Sequence, residues 1–157
     1  MKIYALCDID SLKVASDYKI NFENWVNFVY KQSEVGAKGV VLYGKSKKAL
    51  SAVFEYLKDR LDIPVFIYGE GIVVKSVRLA YKKDDLCSLR DLKLKDKVQI
   101  VLVRNSEILR HFASEKSNLP ELISVITAVA FRKGARVLIT EETQSAVKAL
   151  SAIKKLS

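Results

Sequence analysis

Histidine is almost absent from this chain: His111 is the only one, and the two cysteines stand at positions 7 and 87 with no Cys-x-x-Cys spacing. A zinc site needs clustered nitrogen and sulfur ligands, and a disulfide framework needs several paired cysteines, so neither follows. His111 has no serine, cysteine or aspartate partner at diagnostic spacing, which leaves no nucleophilic triad to assemble. Proline (two) and glycine (six) are also scarce, while half of the residues are hydrophobic, which excludes a disordered chain. No apolar run approaches the roughly 20 residues that cross a bilayer, and no basic-then-apolar leader precedes the first strand-like segment. The expectation is a cytoplasmic protein with no membrane partner.

What is abundant is lysine. The 157 residues carry 27 basic and 18 acidic side chains, a formal charge of +9. That excess suits a small anionic ligand or, less well, a nucleic acid, because each neutralised phosphate adds salt-dependent attraction. Most lysines fall in Lys-Lys or Lys-x-Lys pairs on exposed-looking segments, and no zinc finger, KH loop or RNP pair accompanies them. The length fits one core, so residues 1–157 are read as a single domain.

Along the chain, short apolar runs alternate with helical periodicity. Strands are expected at 3–7, 40–43, 63–68, 98–103 and 135–139. Helices are expected at 22–33 (capped by Asn21), from Ser46 through Leu57, and at 106–112, 119–133 and 143–156. Residues 72–81 alternate with period two and read as an edge strand or hairpin; 86–91 reads as a turn leading to an exposed 93–97. Gly36 and Gly134 each stand between a helix and the strand it feeds, as turn glycines do. This alternation predicts an α/β fold with a mostly parallel sheet flanked by helices, in about five strand-helix units.

In such a sheet the strand ends share one rim, where ligands bind. The candidate ligand-binding residues are therefore Asp8 and Asp10 after the first strand, Lys45 and Ser46 after the second, and Glu70 after the third. Arg104, Asn105 and Ser106 follow the fourth strand, and Glu141 the fifth. Lys45-Ser46 can present helix N–H groups to a phosphate but lacks P-loop glycines. Asp8 and Asp10, with Glu70 and Glu141, could hold Mg²⁺ through oxygen ligands. No other cofactor and no catalytic residue is indicated.

The order of these segments resembles dihydropteroate synthase, the pterin-binding (β/α)₈ enzyme of folate synthesis. The run from Gly134 to Glu142 (GARVLITEE) and the following QSAVKALSAIKKL are similar to the family's final turn, strand and ETVDALRVAEA-type helix, and ELISVITAVAF resembles its SLAAAVLAVE helix. Weaker matches run in order: DIDSL to NVTPDSF, GAKGVVLYGKS to GADIIDVGGES, IPVFIYG to VPISVDT, and LVRNS to the strand before the Ser-Arg-Lys phosphate contact. A thiamin-phosphate-synthase-like barrel is a weaker resemblance, through MKIYALCD.

The resemblance implies a truncated or remodelled barrel, since eight units need about 250 residues. It also implies lost chemistry. The family's first-strand asparagine falls at Leu6, its third-strand aspartate at Tyr68, its phosphate-contacting lysine at Ile108, and the arginine and histidine of its last strand at Ile139 and Glu141. The expected protein is a non-catalytic relative acting as a structural or regulatory partner, homo-oligomeric or bound to another protein. The alternatives are an enzyme with a remodelled phosphate or pterin site and a polyanion-binding protein.

Overall fold

A computed structural model describes residues 1–9, 18–68, 86–112 and 118–157, with side chains of the first helix described from Glu23 onward. Six parallel strands form one sheet: β1 (Lys2–Asp8), β2 (Val40–Tyr43), β3 (Val65–Tyr68), β4 (Leu86–Cys87), β5 (Ile100–Val103) and β6 (Val137–Thr140). The helices between and after them are α1 (Tyr18–Glu34), α2 (Lys47–Leu57), α3 (Leu89–Leu94), α4 (Asn105–His111), α5 (Leu119–Arg132) and α6 (Thr143–Leu156). The expected edge strand at 72–81 lies outside the described residues. The 86–91 turn is corrected: it holds β4 and the start of α3, whose first turn is fixed by a reciprocal pair, Asp91 N–H donating to Ser88 Oγ and Ser88 N–H to Asp91 Oδ2. That makes six units rather than five. α1 begins at Tyr18, so Asn21 lies within the helix and not at its start.

The strand order is β3-β2-β1-β6-β5-β4. Every step from β1 to β3 and from β4 to β6 moves in the same direction, so right-handed crossovers place all the helices on one face. Side-chain alternation agrees. Ala5, Cys7, Leu42, Val101, Val103 and Leu138 pack with buried residues of the helices, including Trp25, Val29, Leu50, Ile123 and Leu150. On the opposite face the described residues form an apolar layer of strand side chains, among them Tyr4, Leu6, Val41, Phe66, Ile100, Leu102 and Ile139.

The sheet curls around that layer. Tyr4 on β1 stacks on Phe66 of β3 with ring centroids 5.6 Å apart, although β2 runs between them. Arg104, just past β5, lays its guanidinium 4.1 Å from the ring centroid of Tyr43 on β2. Those strands are three spacings apart, about 14 Å on a flat sheet. The architecture is a curled half-barrel with helices outside.

Two glycines permit the tight returns from helix to strand: Gly36 at φ 104° and Gly134 at φ 82°, a region that only glycine enters cheaply. Gly39 has a different task. A β-carbon there would lie 3.0 Å from the ring of Tyr4, so its absence lets the ring lie against β2. Among the described residues no helix is long and apolar enough to cross a membrane.

Candidate functional site: the carboxyl-end mouth

Inward-facing positions recur every second residue, so the station above the apolar layer follows from the register. Asp8, Tyr43 and Tyr68 are paired in one row across β1, β2 and β3. Leu102 and Ile139 are paired on β5 and β6, which places Arg104 and Glu141 two residues on, at the same mouth. Tyr43 and Tyr68 stack with centroids 5.7 Å apart, and Arg104 covers the first of these rings.

Carboxylates of the chain itself fill the start of α4. Arg104 N–H donates to Glu107 Oε2 at 3.2 Å, Asn105 N–H to Glu141 Oε2 at 2.6 Å, and the Asn105 side-chain amide to Glu142 Oε1 at 3.0 Å. The first two are backbone donors of a helix start, which otherwise attract a ligand anion. Asn105 Oδ1 is buried without a hydrogen-bond partner.

Glu141 is half-buried, and its carboxyl is held above the ordinary glutamate value of 4.5. Desolvation is the main cause; Asp8 and Glu142 add to it, while the Asn105 N–H and Arg104 oppose it. The native state therefore binds this proton more tightly than the unfolded chain does. The stability linked to Glu141 is full below the ordinary value and is lost as pH rises through the raised one. Glu141→Gln keeps an acceptor for Asn105 N–H and removes the charge. It is expected to raise the melting temperature at pH 7 and to converge with the wild type near about pH 4. A variant less stable than wild type at pH 7 would contradict this.

Cys7 faces the helices directly beneath this rim. Burial, with a further push from Glu141, raises its thiol to about 12. Only the thiolate reacts, so in a Cys87→Ser background Cys7 is expected to resist disulfide reagents at pH 8 and to label promptly in denaturant. Rapid native labelling would refute its burial.

The predicted site residues separate into groups. Asp8, Arg104, Asn105 and Glu141 come together at the mouth. Ser46 caps α2, accepting from Ala49 N–H at 3.2 Å, and is exposed with Lys45. Ser106 is exposed on α4, while Asp10 and Glu70 lie outside the described residues. A cavity of about 180 Å³ opens beside the ends of β3, β4 and β5, lined by Tyr68, Ser88, Asp91, Arg104 and Glu107 among others; of the candidates among the described residues it takes only Arg104. No group of three metal-ligating side chains occurs among the described residues, which leave out Asp10 and Glu70 of the expected carboxylate rim.

Sequence reasoning missed the Tyr43–Tyr68 stack, the capping role of Glu107 and the bond from the Asn105 side-chain amide to Glu142. A glutamate at the third position of the helix, Glu107, was a usable signal; contacts between distant strand ends had none.

Across 99% of this chain and 92% of the other, the structure superposes on dihydropteroate synthase from Xanthomonas albilineans, solved with 4-aminobenzoic acid, with a TM-score of 0.68 at 13% identity. The fold is that of dihydropteroate synthase. The enzyme from Clostridium difficile, solved in the presence of pteroic acid, gives 0.57 at 13% identity over 99% of this chain and 96% of its own. The Yersinia pestis enzyme with a pterin–sulfa conjugate gives 0.54 at 11%, over 99% and 92%. No family model and no curated protein matches the sequence. Within this fold, three positions where the resemblance expects polar chemistry are apolar and buried: Leu6 and Ile139 in the inner layer, and Ile108 in the outer core with residues of α5.

Proposed function

We propose that this chain is a dihydropteroate-synthase-fold protein that does not condense a pterin diphosphate with p-aminobenzoate and that serves as a structural or regulatory partner. One observation carries the reading: Glu141 sits at the mouth where the resemblance expects a phosphate-binding histidine, beside Asp8, with an oxygen on the Asn105 amide. A diphosphate brought there meets like charge in a partly desolvated setting, where repulsion is stronger than in water. Apolar residues at Leu6, Ile108 and Ile139 remove further anchors. Function belongs to the site and not to the fold, so the shared scaffold does not restore the reaction.

The test is a product assay with pterin diphosphate, p-aminobenzoate and Mg²⁺. The expected result is no pteroate above the protein-free control; turnover would overturn the proposal. The competing reading, an enzyme with a remodelled rim, is supported by the 180 Å³ cavity beside Arg104 and predicts that Arg104→Ala abolishes binding of its small-molecule ligand.

A further inference from the structure

The far end of the barrel has the opposite character. Where β1 and β6 begin, a cavity of about 470 Å³ is lined by Lys2, Tyr4, Phe131 and Arg136, among others, and among the described residues by no carboxylate. Lys154, in the last turn of α6, adds charge of the same sign: burial, then Lys154, then Lys2 push the ammonium at Met1 toward its neutral form.

Cations are favoured at helix C-termini even without a ligand, which accounts for Arg132 and Lys154. It does not account for Lys2 and Arg136, which stand at strand starts. Their backbones are fixed in the sheet, Lys2 N–H donating to Arg136 O and Arg136 N–H to Gln99 O, both at 2.8 Å. Lys133, by contrast, is engaged structurally, its Nζ donating to the carbonyls of Leu92 and Lys95 at 2.6 and 2.7 Å. Tyr4 gives the cavity a rigid aromatic wall, held by its stack on Phe66 and its close fit over Gly39.

We propose that this cavity, at the amino end of the strands, binds a phosphorylated small molecule of nucleotide size, with its phosphate on Lys2 and Arg136 and its flat portion against Phe131. The volume falls in the range of small-ligand pockets, about 300–1,000 Å³. A guanidinium takes phosphate oxygens in pairs, which suits Arg136 to the anchoring role. A polynucleotide is the less favoured ligand, because it needs a track of stacking aromatics along several phosphates, whereas the cations here converge on one hollow.

Calorimetric titration of the full chain with ADP tests the proposal, with adenosine, inorganic phosphate and a single-stranded oligonucleotide as comparisons. Saturable ADP binding is expected, tighter than that of either adenosine or phosphate. It should weaken at least about tenfold in Arg136→Gln and again in Lys2→Gln, with partial rescue in Arg136→Lys. Lys148→Gln, which removes the same charge from an exposed part of α6, should leave it unchanged. Unaltered melting temperatures confirm that the variants fold. Absence of saturable ADP binding, equal weakening by Lys148→Gln, phosphate binding as tight as ADP, or preference for the oligonucleotide would each overturn it.

Discussion

Leu138→Ala is expected to lower the free energy of unfolding by about 3 kcal/mol, a large part of the stability of a chain this size. Leu138 is fully buried on the outer face of β6, in the cluster that holds α5 and α6 against the sheet. Truncation loses the transfer free energy of its side chain and leaves a cavity that two helices and the two neighbouring strands cannot easily close. The only tryptophan, Trp25, reports from the other outer cluster, with α1, α2 and β2. Urea unfolding followed by Trp25 fluorescence therefore asks two things at once. A midpoint shift with an unchanged slope means that the two outer clusters unfold as one unit. A shift seen by circular dichroism and not by Trp25 would show that the two halves of the half-barrel are independent.

Leu6→Asn is expected to cost more, about 3–5 kcal/mol. The resemblance expects an asparagine at this point of the first strand, yet Leu6 is buried in the apolar inner layer between the rows of Tyr4 and Asp8. An amide there would lose packing and leave donors and acceptors unpaired in a layer made of strand side chains. Equilibrium denaturation decides the matter. A variant within about 1 kcal/mol of wild type would mean that the inner layer tolerates polar chemistry and that the lost asparagine could be restored.

Much of this architecture was readable from local patterns. β2 and α6 match the expected spans, and Gly36 and Gly134 adopt the left-handed turns read at those positions. β4 escaped because two residues, Leu86 and Cys87, show no periodicity; the Ser88-x-x-Asp91 box beside it was legible and was taken for a turn. The mouth was harder. Its polar ends could be recognised one by one, but their partners are set by the curl of the sheet. Arg104 meeting Tyr43 from three strands away, or Glu141 meeting Asn105 N–H, leaves no trace in spacing along the chain. The same limit hid the basic hollow, whose Lys2 and Arg136 come from opposite ends of the sequence.

On the proposed reading, the carboxyl-end mouth, where Glu107 and Glu141 take the N–H groups of Arg104 and Asn105 and Glu142 takes the Asn105 side-chain amide, rejects a pterin diphosphate. Calorimetry with a pterin diphosphate and Mg²⁺ at pH 7 tests it most directly, with Lys2 and Arg136 both replaced by glutamine so that only the mouth can bind. The account predicts no saturable heat. Micromolar binding that disappears in Arg104→Ala would contradict it.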